Sequence, residues 1–282
     1  MYLYVMGRAH CGSTILDILL GGGAAIESVG ELVSGLERYD AGEPCSCGAL
    51  MRDCPFWSEV RRRFEAEGFG WDELARRSRD QTDLRRWPAT WLARPDDPDR
   101  RRLAAMTRAL AGAVAASGKP HLLDSNKETT RGLFLLKYLS EARVIHLVRD
   151  PRAVQQSHYW RIRAARGFHF RRRKLGVGRT TAPLLIVLGA LSWTVGSALG
   201  ELAVRVAPGR VLRLRYEDLR DGSAGAVRAI GAAFGVTVED VAAALERGEA
   251  FRVGHNVGGN HIRHQREVRD HTVRLERPRR YQ

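Results

Sequence analysis

Close to the N-terminus the chain reads Gly7-Arg8-Ala9-His10-Cys11-Gly12-Ser13-Thr14, between an apolar run, Tyr2–Met6, and a helical stretch, Thr14–Leu20. Glycines at both ends let a backbone fold round an anion, and a helix starting there offers unpaired N–H groups and the positive end of its dipole. Ser13 and Thr14 add hydroxyl donors. The pattern is G-x-x-x-x-G-S-T, so Ser13 stands where a P-loop nucleotide hydrolase carries the lysine that reaches the β- and γ-phosphates. An acidic strand end for magnesium is not obvious either, Asp124 being the one that can be argued. The loop is equipped to hold a phosphate and poorly equipped to transfer a γ-phosphoryl group. The plain alternative is a glycine-rich turn with no ligand.

A second anion site follows the run Arg143–Val148, in Arg149-Asp150-Pro151-Arg152 and the helical stretch Ala153–Arg166. Arg149 falls at the C-terminal end of a strand, where open α/β sheets bind ligands. A guanidinium is a natural bidentate partner for phosphate, and Pro151 suits a helix start. Ser157, two turns along, approaches the same anion if its helix faces the cleft. A surface salt bridge at a helix start is the competing reading.

Together these motifs resemble the sulfotransferases that use 3′-phosphoadenosine 5′-phosphosulfate (PAPS). Residues 8–14 look like that family's 5′-phosphosulfate loop. The R-D-P-R-A-V-x-x-S run looks like its 3′-phosphate motif, with Arg149 and Ser157 keeping the family's spacing. Tyr216-Glu217-Asp218-Leu219 resembles a segment whose tyrosine lies near the adenine. Gly259-Asn260-His261-Ile262-Arg263 resembles a bacterial G-N-x-x-R motif, which makes Asn260 and Arg263 expected cofactor contacts. Asp124-Ser125-Asn126-Lys127 resembles the D-S-S-K stretch, and Cys45-Ser46-Cys47-Gly48 with Cys54-Pro55-Phe56-Trp57 is similar to a bacterial subgroup.

The resemblance implies sulfuryl transfer from PAPS to a hydroxyl, less readily an amine, of a small molecule, sugar or glycolipid, with no metal required. It puts a catalytic glutamate near Glu31, whose plain alternative is an exposed helix-start residue. His10 departs from the family, which has lysine or arginine in that slot. Histidine is charged only part of the time near neutral pH, so the expected arrangement has His10, Arg8 and Lys127 share the work at the leaving oxygen. The rival readings are a P-loop kinase or NTPase and a basic protein that binds nucleic acid or membrane.

Cys45, Cys47 and Cys54 supply three thiols where structural zinc takes four ligands, so packing or a local disulfide is expected ahead of a metal site, which stays the weaker alternative. Cys11, at a helix N-terminus, is placed for a lowered pKa.

The elements that position these groups are the strand candidates Tyr2–Met6, His121–Asp124, Arg143–Val148 and Val211–Arg215. They alternate with helical stretches that include Arg100–Ala116, Thr130–Leu139 and Ala224–Phe234. Near-continuous apolar strands between helices predict a three-layer α/β/α fold with a central parallel sheet, here P-loop-like. One domain over residues 1–282 is expected, with a helical insert around 60–118 outside the sheet and a basic tail, 255–282. The insert's Trp71 and Trp87 are read as core anchors ahead of walls of an acceptor pocket.

Hydrophobic residues make up 44% and charged residues 28% of the 282, enough for a sizeable core, which excludes global disorder. With 46 Lys+Arg against 32 Asp+Glu the net charge is +14, which reflects either a GC-rich genome or an anionic partner. The run from Arg161 to Arg179 holds eight basic residues and no acid, read as a solvated face, a lid over PAPS, or a contact for anionic lipid or an acidic acceptor. Thr180–Gly200 carries no charge over 21 residues, and its glycines and Pro183 favour a buried core helix over a membrane span. The absence of a secretory pattern and the four cysteines predict a cytoplasmic protein.

Overall fold

The computed structural model describes residues 1–78, 82, 97–164, 168–170, 173–175, 181–259 and 272–273. Trp87, Asn260, Arg263 and the side chains of the Arg161–Arg179 run lie outside the described residues.

Five parallel strands form the central sheet: β1 Tyr2–Gly7, β2 Ile26–Ser28, β3 His121–Lys127, β4 Ala142–Val148 and, after the short β5 Phe168–Phe170 and β6 Arg173–Leu175, β7 Val211–Arg215. Their order is β2-β3-β1-β4-β7. The chain builds one side of β1 with β2 and β3, then crosses to β4 on the other. The order therefore reverses at β1, and the crevice opens there at the carboxyl ends.

Alternation along β1 separates the two faces of the core. Tyr2, Tyr4 and Met6 face a cluster shared with α2 (Leu32–Glu37), α3 (Pro55–Ala66), α4 (Trp71–Ser78), α5 (Pro98–Ala116) and α6 (Thr129–Tyr138). Leu3 and Val5 face α1 (Ser13–Gly21). The same cluster takes in α9 (Tyr216–Asp221), α10 (Ser223–Phe234) and Val241 of α11 (Glu239–Glu246), whose chain continues to β8 (Phe251–Arg252). Trp71 is buried, as a core anchor should be. Each apolar strand thus meets helices on both sides, and the result is a three-layer α/β/α sandwich.

Two helices complete the frame, α7 (Pro151–Ala164) and α8 (Thr181–Val206). The expectation of a buried core helix over Thr180–Gly200 does not hold for α8. Ile186, Val187, Leu188, Leu191, Val195, Leu202 and Val206 are exposed, and only 17% of the apolar window in Ile186–Val206 is buried. Side-chain size explains the orientation. The inward positions are small: a Cβ added at Gly196 would meet Arg8, one at Gly200 would meet His146, and Ala203 is fully buried. The helix lies on the crevice through Gly196 and Gly200 and turns the aliphatics named above outward, while Leu199 and Val204 pack partly against the core. By length and composition this is a helix that could cross a membrane.

Candidate active site

β1 delivers the loop Arg8–Gly12 to the start of α1. Gly12 caps that helix at φ 97°, a left-handed conformation that suits glycine. A Cβ there would also overlap the ring of Tyr216. Among the described residues, the non-glycine positions with positive φ are His10 (68°) and Lys127 (78°). Such strain persists where surrounding structure enforces it, typically at functional sites.

β4 and α7 bring the second motif to the same place. Arg149 donates from Nη1 to the main-chain oxygen of His10 at 2.7 Å, across 139 residues of sequence. Ser157 Oγ lies 3.2 Å from His10 Nδ1. The Arg149 guanidinium carbon stands 4.3 Å from the centre of the Tyr216 ring, so Tyr216 forms a platform between Gly12 and Arg149. Arg149 Nε is buried with no hydrogen-bond partner. An orphaned donor costs free energy that an anionic oxygen would recover. From Arg149 a groove of about 480 Å³ runs on between Trp193 and the end of β7, lined also by Arg152, Arg213 and Arg215.

Arg8 turns toward α8, where it bonds Ser192 Oγ and packs on Gly196. Burial lowers its pKa, opposed by the charge of Glu128. Ser13 and Cys11 are buried in the loop. The Cys11 thiol is pushed up, not down: burial outweighs the lowering by Lys127 and by hydrogen bonds from Ser13.

On the other side of β1, β3 ends at Lys127, paired in register with Met6 of β1. Lys127 Nζ makes an ion pair with Glu31, which also accepts from Ser34 Oγ at 3.2 Å. Glu31 starts α2 and is only 15% exposed, which removes its reading as an open helix-start residue. The segment after β8 forms the wall behind it. Glu31 N–H donates to the Val257 carbonyl at 2.8 Å, and a Cβ on Gly258 or Gly259 would press on the Glu31 side chain.

Glu128 went unnoticed in the sequence. Burial raises its carboxyl to about 7, with the Lys127 charge opposing and Glu31 and Asp124 adding to the rise. Its place directly after Asp124-Ser125-Asn126-Lys127 was the available signal. Asp124, the residue arguable as a magnesium ligand, is fully buried and committed elsewhere. It accepts from Tyr2 Oη at 2.9 Å, from Arg131 Nε at 3.0 Å and Nη2 at 2.9 Å, and from the Asn126 N–H at 3.0 Å.

The profile of the sulfotransferase family matches residues 3–240. The chain belongs to the sulfotransferase family. Sulfotransferase STF1 from Mycobacterium tuberculosis shares the fold at TM-score 0.52 and 17% identity, over 86% of this chain and 69% of that one. Sulfotransferase STF9 from Mycobacterium avium does so at TM-score 0.51 and 15% identity, over 87% and 67%. A search of curated proteins finds no match to this sulfotransferase.

Beside the site, the cysteines are free thiols, so the local disulfide allowed by the sequence is not formed. Cys47 Sγ and Cys54 Sγ are 3.6 Å apart, against about 2.05 Å for a bond. The sequence counted three ligands and missed His255, which the fold brings alongside them.

Proposed function

We propose that this sulfotransferase moves the sulfuryl group of PAPS in line to a hydroxyl of a small molecule, sugar or glycolipid, with Glu31 as general base. The observation that carries this reading is the meeting of Arg149 and Ser157 on His10 of the phosphate loop. Two anion-binding motifs far apart in sequence thereby face one crevice, as a ligand with phosphates at both ends of its ribose requires. The unpartnered Nε of Arg149 adds a donor suited to a phosphate oxygen.

In the transfer, the acceptor oxygen forms a new bond to sulfur while the bond from sulfur to the 5′-phosphate oxygen breaks. The electron pair stays on that phosphate, and the acceptor proton passes to Glu31. Residues Arg8, Ala9, His10, Cys11, Gly12, Ser13 and Thr14 surround the 5′ end, their N–H groups and the α1 dipole favouring negative charge. Arg149 and Ser157 take the 3′-phosphate, with Tyr216 as the platform under Arg149. Asn260 and Arg263 enter as further cofactor contacts on the family resemblance. Lys127 sits between Glu31 and the loop, so sulfuryl oxygens would draw its ammonium away and free the carboxylate for the acceptor proton. His10, closest to the leaving oxygen, shares with Arg8 and Lys127 the balancing of charge on the departing phosphate.

Nucleotide hydrolysis fits less well. Ser13 replaces the lysine of a P-loop, and Asp124 is enclosed by Tyr2, Arg131 and Asn126.

Calorimetry with 3′-phosphoadenosine 5′-phosphate against ATP–Mg²⁺ tests the donor: the former binds and the latter does not. Binding of ATP alone would overturn the reading. For the base, Glu31→Gln lowers turnover by ~10²–10⁴-fold with the product nucleotide still bound, while Glu128→Gln does not. A loss that follows Glu128 instead removes Glu31 from this role.

A further inference from the structure

The four side chains Cys45, Cys47, Cys54 and His255 bring their donor atoms within 4.8 Å of one another. Cys45 and Cys47 lie on a tight turn closed by the bridge between Pro44 and Leu50, with Cys45 N–H donating to Ala49 O at 2.9 Å. Gly48, at φ 94°, makes that turn possible. Cys54 is the residue before the first turn of α3, which starts at Pro55. His255 arrives from the far end of the chain and is held from several directions. Its ring stacks on Phe56 at 4.9 Å and 3°, its carbonyl accepts from Trp57 Nε1 at 3.0 Å, and its N–H donates to Glu27 Oε1 at 3.3 Å.

Three of the six separations between these donors match the edges of a tetrahedral metal site. With zinc–sulfur bonds of about 2.3 Å and zinc–nitrogen bonds of about 2.0–2.1 Å, tetrahedral edges are about 3.8 Å between sulfurs and about 3.6 Å from sulfur to nitrogen. Cys47 Sγ and Cys54 Sγ are 3.6 Å apart, and His255 Nδ1 lies 3.3 Å from Cys54 Sγ and 3.8 Å from Cys45 Sγ. Simple packing does not require three thiols and an imidazole to point at one centre. Three thiolates with one imidazole are a set that zinc takes in structural sites, whereas hard cations prefer oxygen ligands.

We propose that Cys45, Cys47, Cys54 and His255 form a structural zinc site that clasps the segment after β8 to the turn before α3. Its ligands and geometry are independent of the assigned donor and base. The join is reinforced around Ser46, whose N–H donates to Asn256 O at 3.0 Å and whose Oγ donates to Gly254 O at 2.6 Å. The Asn256 N–H returns a bond to Ser46 Oγ at 2.8 Å. Two residues beyond His255, Val257 accepts from the N–H of Glu31 at 2.8 Å. The metal therefore fixes the wall behind Glu31 from outside the reaction crevice.

The test uses the full chain, purified under reducing conditions without chelator. Elemental analysis is expected to find about one zinc per chain, and a mercurial thiol reagent should release it from the unaltered protein. Replacement by Co²⁺ should give the intense visible bands of a tetrahedral thiolate site. Cys54→Ser and His255→Ala lose most of the metal, whereas Cys11→Ser, outside the cluster, keeps it. Folded, reduced protein that holds no zinc and takes up no Co²⁺ overturns the proposal, as does a weak octahedral cobalt spectrum. Should the ligand variants fail to fold, metal content, thiol-triggered release and cobalt spectrum of the unaltered chain still decide the matter.

Discussion

Arg149 reaches 2.7 Å from its Nη1 to the backbone carbonyl of His10, and so joins the end of β4 to the loop after β1. One guanidinium thus braces the loop after β1 and lines the adjoining groove. The Tyr216 ring, 4.3 Å from the guanidinium carbon, limits its motion.

Arg149→Lys should therefore weaken binding of 3′-phosphoadenosine 5′-phosphate by roughly 10–100-fold, the value of one charge-assisted hydrogen bond of about 1.5–3 kcal/mol. An ammonium is a point charge and cannot hold the His10 carbonyl and a phosphate with one planar fork. Titration calorimetry measures it, and an affinity equal to that of the unaltered protein removes Arg149 from the site.

Gly12→Ala meets two obstacles, φ 97° and the Tyr216 ring, whereas Gly42→Ala meets φ 81° with nothing within 4 Å. The Gly42 change should cost about 1 kcal/mol and leave nucleotide affinity alone. The Gly12 change should cost more than ~2 kcal/mol and also weaken the nucleotide. Urea unfolding with nucleotide titration compares them. Equal effects would mean that the contact with Tyr216 is of no consequence.

Glu128 carries a pH dependence of definite sign. Its carboxyl sits at about 7 in the fold against a reference of 4.5, chiefly because burial disfavours the charge. Between those values the folded state binds more protons than the unfolded one, so this group's contribution falls as pH rises, then levels off above about 7. Glu128→Gln should gain stability over the unaltered protein at pH 8, on the order of a few kcal/mol at most, and lose that advantage as pH drops toward 4.5. Denaturation midpoints at several pH values show it. A difference that does not change with pH contradicts the raised carboxyl.

Asp124→Ala removes one half of a buried ion pair with Arg131 and takes the acceptor from the Tyr2 O–H, whose oxygen still accepts from Arg131 Nη2 at 3.1 Å. Breaking such a pair from one side costs about 3–5 kcal/mol, because a buried charge is left uncompensated. Chemical denaturation measures the loss. A cost under about 1 kcal/mol would show that water or another side chain takes the place of the carboxylate.

What residue order determined alone was local. Short, near-continuous apolar runs mark Tyr2–Met6, Arg143–Val148 and Val211–Arg215, and the stretches at Thr14, Arg100, Thr130, Ala153 and Ala224 mark five helices to within a few residues, because a strand covered on both faces or a helix packed on a sheet is specified by its own apolar residues. The G-x-x-x-x-G-S-T loop and the Arg149–Ser157 spacing were legible for the same reason, since each is a short continuous stretch. The short strand Ile26–Ser28 and helix Leu32–Glu37 offered too few residues for a period to show. Thr180–Gly200 misled because lack of charge reports apolarity and not direction: only the crevice, floored by Arg8 and His146, decided that Gly196 and Gly200 face in and Leu188 and Leu191 out. The pairing of Glu31 with Lys127, the perturbed carboxyl of Glu128, and the arrival of His255 beside three cysteines all join residues distant in sequence. Such contacts arise when the sheet order β2-β3-β1-β4-β7 stacks strand ends side by side, and no spacing along a chain encodes that juxtaposition.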